Sequence, residues 1–359
     1  MTSGARIAIV GTGWWATYTH IPALQAHPGI GEIVLCDRDP EKLGAAAEAY
    51  HIAKSYTDLA TMLQQEDLHG AIIATSHASH YALAKACLAA GLHVMIEKPL
   101  TLYARHARDL VETAQAHKVE IVMGYPYHFT AHVNRVRQVL SSGELGAIQL
   151  VNCFMASHIL DLLRGDDGSN PGNGQRPAHF PVHGPGQVYS QPEHSGGGQG
   201  HLQITHAAGF MFYVTGLRAQ RVHATMHNHG LPLDLVDVMM VQFVGGALGV
   251  VSGTGNQGSA SSGKVDLEIH CANGSVELNV TSGQVRIHRR KQEPEIINVP
   301  AEERYPRFAT AQNLVDVALG RAANGSPVEA GWRTVELLDA AYRSAANDGQ
   351  GVDVATLYG

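Results

Sequence analysis

Near its start the chain runs from an apolar stretch, Arg6-Ile7-Ala8-Ile9-Val10, straight into Gly11-Thr12-Gly13-Trp14-Trp15-Ala16. This junction constrains the fold more than any other. The first glycine permits a tight turn, the second lets a pyrophosphate approach the backbone, and Ala16 is small enough for the next helix to pack on the strand. Free N–H groups at that helix start favour phosphate. A bare glycine pattern says little. Here strand, turn and helix come in the required order, and a second apolar run over residues 32–36 ends in Asp37. Asp37 stands 24 residues beyond Gly13, where a carboxylate can accept from both ribose hydroxyls of an adenosine. Its competing use is as the N-cap of a helix beginning near Pro40-Glu41-Lys42. Arg38 could accommodate a 2′-phosphate, but Asp37 would repel one, so NAD is favoured over NADP. Gly11, Thr12, Gly13, Trp14, Trp15, Asp37 and Arg38 are the expected cofactor contacts of this unit.

The βαβ rhythm continues. Residues 58–64 read as helix, 71–74 as a buried strand and 75–80 as its loop. Residues 81–90 are helical up to Gly91. Val94-Met95-Ile96 is a continuous apolar run, as in a strand covered on both faces. Residues 104–116 are helical, and strand 120–123 ends at Gly124-Tyr125-Pro126-Tyr127-His128. Strand ends at 10, 36, 74, 96 and 123 each give way to a polar loop, as a doubly wound parallel sheet requires. Ligands of such sheets sit beyond the carboxyl ends of the strands. Thr75, Ser76, His77, His80 and Glu97 therefore join the cofactor side, and Tyr125, Tyr127 and His128 the substrate side.

Glu97-Lys98-Pro99 closes the fifth strand. A Lys there can carry a proton to or from a substrate if desolvation or neighbours bring its pKa toward neutrality. Pro99 restricts Lys98 to an extended backbone. The competing reading is a surface Lys paired with the adjacent Glu.

The second half changes period. Runs at 147–154, 221–226, 236–244, 247–254, 264–271, 275–280 and 284–288 alternate like half-buried strands, with a hairpin turn at Ala272-Asn273-Gly274-Ser275. Residues 312–320 and 334–346 read as closing helices. A chain of 359 residues, 45% hydrophobic, suits two domains, placed at 1–125 and 126–359. The net charge of −7 argues against nucleic acid or an acidic membrane as partner. Cys36, Cys87, Cys153 and Cys271 form no C-x-x-C pair, so neither a zinc site nor a disulfide framework is expected, and a reducing cytoplasm fits. No apolar run reaches about 18 residues and no signal-peptide pattern opens the chain. Residues 158–194, rich in Gly, Pro and His, read as a long loop, either a substrate-selecting lid or a surface insertion. Its His179, His183 and His194 match no ligand spacing, so no metal is expected.

Val10-Gly11-Thr12-Gly13, Asp37, Ile73-Ala74-Thr75 with His80, Gly91 to Val94, Glu97-Lys98-Pro99 and Gly124-Tyr125 follow one another in an order that resembles the glucose-fructose oxidoreductase, inositol dehydrogenase and rhizopine-catabolism family, Gfo/Idh/MocA. Farther on, Gly143-Glu144-Leu145-Gly146, Ser195-Gly196-Gly197-Gly198 before a helix with His206, and Ala340-Ala341-Tyr342-Arg343-Ser344 are similar too. The resemblance implies an α/β protein: an N-terminal Rossmann domain, then an α/β domain on a large open, mainly antiparallel sheet whose free face suits a homo-oligomer. It also implies hydride transfer between a nicotinamide and a secondary hydroxyl or ketone of a sugar, glycoside or cyclitol, with ring carbon 3 of glycosides a family-level suggestion. Lys98 and His206 would be catalytic. The chain departs from the family where an Asp usually stands four residues before the His: Leu202 occupies that place, and Gln203 is the expected substitute for holding substrate. It also has Thr75-Ser76 where Thr-Pro is common. A redox-neutral, NAD-using glycosidase and a non-catalytic sensor are the alternatives.

Overall fold

The structure, a computed structural model, describes residues 4–166, 182, 186–258 and 263–359; His179 and His183 lie outside them. Strands β1 (Ala5–Val10), β2 (Ile30–Cys36), β3 (Lys54–Tyr56), β4 (Gly70–Ile73), β5 (His93–Ile96) and β6 (Ile121–Met123) form one sheet in the order β3-β2-β1-β4-β5-β6, every pairing parallel. The apolar runs are continuous because helices cover both faces: Ile7, Ile9, Ile72, Val94 and Val122 are fully buried. Successive strands are added outward on one side from β1 to β3 and on the other from β4 to β6, so the winding reverses between β1 and β4. That switch point leaves a crevice beyond the strands' carboxyl ends.

The second sheet contains β7 (Ile148–Ala156), β8 (Ala219–His227), β9 (Val236–Phe243), β10 (Leu248–Thr254), β11 (Lys264–Cys271), β12 (Gly274–Asn279), β13 (Gln284–Arg289), β14 (Glu295–Asn298) and β15 (Val352–Asp353). Their order is β14-β13-β12-β11-β7-β10-β9-β8-β15, antiparallel except for β7 with β10. On β9, Asp237, Met239, Val241 and Phe243 are buried while Val238, Met240 and Gln242 are exposed, the period of two that a one-sided sheet requires. Each large apolar side chain so buried contributes about 1.5–3 kcal/mol. Helices Thr205–Thr215 and Val328–Ala345 fill the inner face, with Phe210, Phe212, Leu337 and Leu338 in one core with Met239 and Phe243. The outer face carries exposed Leu150, Val238, Met240 and Leu248.

The layout differs from the sequence expectation in three respects. Helix Ala309–Ala318 returns to the first sheet and buries Ala311, Leu314 and Val315 against Ile7, Ile9 and Ile72, so a helix from late in the chain packs on the first domain's sheet. A parallel sheet needs apolar cover on both faces, and this helix completes it. Helix Ala131–Ser141 and strands β3, β14 and β15 add to the expected elements; β3 has no periodicity of its own and is tied down by Lys54 Nζ on Glu66 (2.9 Å) and Glu32 (3.2 Å). The described ends of the 158–194 segment are not structureless, forming helices Leu160–Arg164 and Pro192–Ser195 with a short turn Val188–Ser190 between; His194 lies half-buried in the second of them. No helix among the described residues is long and apolar enough to cross a membrane.

Candidate active site

The glycine turn after β1 has the geometry its sequence demands. Gly11 has φ +95°, and a Cβ there would meet the Ala74 carbonyl oxygen at 2.6 Å, whereas one at Gly13 would meet nothing within 4 Å. The first glycine is required by the fold; the second leaves room for a diphosphate. Asp37 Oδ2 accepts from Thr12 N (2.7 Å) and Thr12 Oγ1 (3.0 Å), and Oδ1 accepts from Asp39 N (3.0 Å). The helix Pro40–Ala49 is capped by Asp39, which accepts from Glu41 N and Lys42 N, so Asp37 is not its cap. Arg38 is exposed beside it. These residues fit the adenosine-diphosphate half of a dinucleotide: an open backbone approach, and a carboxylate with lone pairs left for ribose hydroxyls.

Beyond β1, β4 and β5 lies a cavity of about 310 Å³, at the small end of ligand pockets. Trp14, Trp15, Thr75, His77, Glu97 and Lys98 form its first-domain wall. Trp15 Nε1 donates to Glu97 Oε1 (2.9 Å), and His20 Nε2 lies 3.0 Å from the same oxygen. Burial by itself would raise the Glu97 carboxyl, but His20, Lys98 and Trp15 together hold it below its ordinary value. Glu97 is thus a fixed anion, and Lys98 makes no ion pair with it. Lys98 Nζ instead donates to the carbonyl oxygen of Leu202 (2.9 Å), across the domain boundary. Burial pushes the Lys98 ammonium down to about 8 against the pull of Glu97. The Lys98–Pro99 peptide is cis. His77 is buried; its Nδ1 lies 2.9 Å from the Ser195 carbonyl oxygen, so it donates there and its unpartnered Nε2 is an acceptor.

Gln203 and His206 form the opposite wall with Tyr127, Met155, Leu162 and Tyr189. A π-helical stretch, Gly200–Ile204, leads into helix Thr205–Thr215. Burial, then the Lys98 charge, lowers His206 to about 3, so its ring is neutral. Leu202, where the family's Asp would stand, packs its side chain with Ile159, Leu163, Leu233 and Leu235; only its backbone carbonyl reaches Lys98.

Besides Gly11, Thr12, Gly13, Asp37 and Arg38, four expected contacts do not line the cavity. His80 is fully buried, with its ring nitrogens on the carbonyl oxygens of Pro99 (2.8 Å) and Thr75 (3.2 Å). His128 is held by Ser326 Oγ (2.8 Å) and the Gly209 carbonyl oxygen (3.3 Å) and stacked on Tyr213. Tyr125 lies 3.2 Å from Thr205 Oγ1 through its hydroxyl and backs His206 from beneath. Ser76 Oγ is engaged with Ser79 Oγ at 3.2 Å. All sit near strand ends, but the side chains of His80, Tyr125 and His128 turn into the protein, where buried polar groups need partners. Conversely, Tyr305, Arg307 and Thr310 line the cavity with no signal in the sequence. They precede or open the helix that returns to the first sheet, and only that return brings them here.

Two family models match the chain: an oxidoreductase family with NAD-binding Rossmann fold, GFO_IDH_MocA, over residues 5–125, and the GFO/IDH/MocA C-terminal domain over residues 133–277. An uncharacterized oxidoreductase of Synechocystis sp. is 32% identical over 145 residues, 40% of this chain and 39% of that protein. A D-apiose dehydrogenase of Paraburkholderia graminis is 30% identical over 139 residues, 39% of this chain and 37% of that protein. The chain thus spans less than half the length of these curated relatives. An inositol dehydrogenase homologue from Azotobacter vinelandii, solved with NAD+, superposes with a TM-score of 0.78 at 21% identity over 98% of both chains; at that identity the likeness is one of fold.

Proposed function

Since this chain belongs to the Gfo/Idh/MocA oxidoreductase family, whose first domain is an NAD-binding Rossmann fold, we propose that it is an NAD-dependent dehydrogenase acting on a secondary hydroxyl of a sugar, glycoside or cyclitol, or reducing the matching ketone. The observation that carries this reading is Lys98: an amine at the cavity wall, unpaired with any carboxylate among the described residues, with its pKa brought down to about 8. Bound NAD supplies the hydride acceptor. Neutral Lys98 Nζ takes the hydroxyl proton as the carbon gives up its hydride, and returns it when the ketone is reduced. His206 and Gln203 hold the hydroxyls from the opposite wall. Trp15, Tyr127, Met155 and Leu162 keep water from the reacting carbon. Incubation with NAD and a panel of sugars, glycosides and cyclitols tests this: net NADH supports it, aglycone release without net NADH points to the redox-neutral glycosidase, and neither points to a sensor. The apolar side chains of Leu150, Val238, Met240 and Leu248 exposed on the outer face of the second sheet support pairing with a second copy of the chain.

Asp37 supports NAD over NADP. Asp37→Ala should weaken NAD roughly 10- to 100-fold, the worth of one or two charged hydrogen bonds, and NADP by less, because the same change removes a repulsion. Titration with both cofactors checks it; equal losses would remove Asp37 from the preference and leave it only as the anchor of the Thr12 turn.

Gln203 is assigned to substrate in place of the absent Asp. Gln203→Ala should raise KM or lower kcat by about tenfold. Leu202→Asp should bring no gain, because residue 202 sends its side chain into an apolar cluster, where an ionised carboxylate is costly. Faster turnover in Leu202→Asp, measured under saturating NAD, would contradict this.

A further inference from the structure

Behind the cavity wall lies a polar cluster with no part in the mechanism above. It is built around Asp234 and Asp237, at the β8–β9 connection and on β9. Asp234 grips three consecutive amides at the start of the segment that carries Gln203 and His206. Its Oδ1 accepts from Gly198 N (2.7 Å), its Oδ2 from Gly200 N (2.9 Å), and its backbone carbonyl from Gln199 N (2.9 Å). Tyr342 OH donates to Oδ1 as well (3.0 Å). The approach is so close that a Cβ on Gly198 would lie 2.0 Å from the Asp234 carbonyl oxygen. N–H groups at a helix start lack intrahelical partners, and a carboxylate there is favourable. Asp234 therefore acts as a cap supplied from a distant loop.

Asp237 has no such explanation. It is wholly buried, and neither oxygen has an N–H or O–H donor. Facing it across the sheet are Met226 on β8 and Gly253 on β10, neither able to donate from a side chain. The nearby titratable groups offer no positive charge. His201 is kept neutral by burial, which takes it down to about 4, and stacks on Tyr342; Tyr342 stays a phenol, held up by burial and the Asp234 carboxylate; Asp339 is engaged with Arg343 (2.8 Å) and Ala104 N (2.8 Å). Its neighbour is the carboxyl of Asp234, whose charge and hydrogen bonding both favour the protonated form of Asp237. Two ionised carboxylates cannot bond, and a bare buried one would be costly.

We propose that Asp237 carries a proton and donates it to Asp234, so that an acid–carboxylate pair, rather than one carboxylate, holds the start of the segment presenting Gln203 and His206. Both are positioning residues. Asp234 already has three donors; the fourth, from Asp237, fixes its carboxylate from behind. Burial, followed by the Asp234 charge, raises Asp237 to about 9, so the pair keeps its proton at neutral pH and loses it in alkali, when two negative charges are left face to face. The folded protein then holds a proton that the unfolded chain has released above about 4. Linkage makes this group's contribution to stability decline as pH rises from there to about 9.

Isotope-edited infrared spectroscopy of the whole protein, comparing wild type with Asp237→Asn, reads the pair directly and needs no substrate. The expected result is a protonated-carboxyl band at pH 7, absent from Asp237→Asn, that disappears on titration through about 9. Asp237→Asn keeps an N–H donor toward Asp234 but cannot ionise. Its thermal midpoint should therefore fall less between pH 5 and 9 than that of the wild type, and its kcat for oxidation, on whichever substrate the panel yields, should lack the fall above about pH 9 that ionisation of Asp237 imposes on the wild type. Asp237→Leu, with no donor, should lower kcat at every pH while leaving NAD affinity within about twofold. If the variants do not fold, the wild-type titration still decides. No such band at pH 7, or a band unchanged in Asp237→Asn, overturns the proposal whether or not the protein proves to be a dehydrogenase.

Discussion

Lys98→Met should lower kcat by roughly 10² to 10⁴, the usual contribution of a positioned acid-base group, with NAD affinity nearly unchanged. Methionine keeps the length of the side chain and removes the proton carrier. The sign of the pH dependence follows from the depressed value of about 8. At pH 7 about one-tenth of Lys98 is neutral, so oxidation should speed up as pH rises through 8, and ketone reduction, which needs the ammonium, should slow. Both limbs should vanish in Lys98→Met. His206→Ala should also reduce kcat, and by less than a multiplicative factor in the double variant if the two act on one proton path. Steady-state rates across pH 6 to 10 check this. Near-normal turnover in Lys98→Met with saturating substrate would remove Lys98 from the chemistry and favour a binding module.

Gly13→Val should raise the NAD dissociation constant by about 10³-fold or more, a loss of at least ~4 kcal/mol, while the protein stays folded. The space beyond Gly13 is open and its φ is not left-handed, so the valine side chain costs the fold little and occupies the place a diphosphate needs. Gly11→Val provides the contrast. Its φ of +95° and the Ala74 carbonyl at 2.6 Å make any side chain a fault of the fold itself, so that variant should lose stability as well as binding. Calorimetric titration beside thermal unfolding separates the two. An unfolded Gly13→Val, or one that still binds NAD tightly, would contradict the assignment.

Much of the first domain was legible because its signals are local. Each of β1, β2, β4, β5 and β6 is an apolar run closed by a polar loop, and the turn chemistry of Gly11 and Gly13 depends on backbone within a few residues. Asp37 could be placed but not fully understood: its link to Thr12 exists only when β1 and β2 pair. His80 and His128 show the limit of the same logic. Proximity to a strand end located them on the ligand side, but a buried imidazole turns toward whatever carbonyl or hydroxyl will satisfy it.

By itself the sequence determined the sheet types, the cofactor turn and the lysine, because period, steric allowance at glycine and the strand-end position of Glu97-Lys98-Pro99 are properties of short segments. Tertiary structure alone decided the rest of the site. The acceptor for Lys98 is a backbone carbonyl 104 positions away, which no side-chain identity could announce. Tyr305, Arg307 and Thr310 reach the cavity because a helix after the second sheet returns to cover the first. Asp234 meets the glycine segment because the β8–β9 connection returns to it, and whether a buried carboxyl such as Asp237 is an anion or an acid depends on how much water and how many donors the finished fold leaves around it.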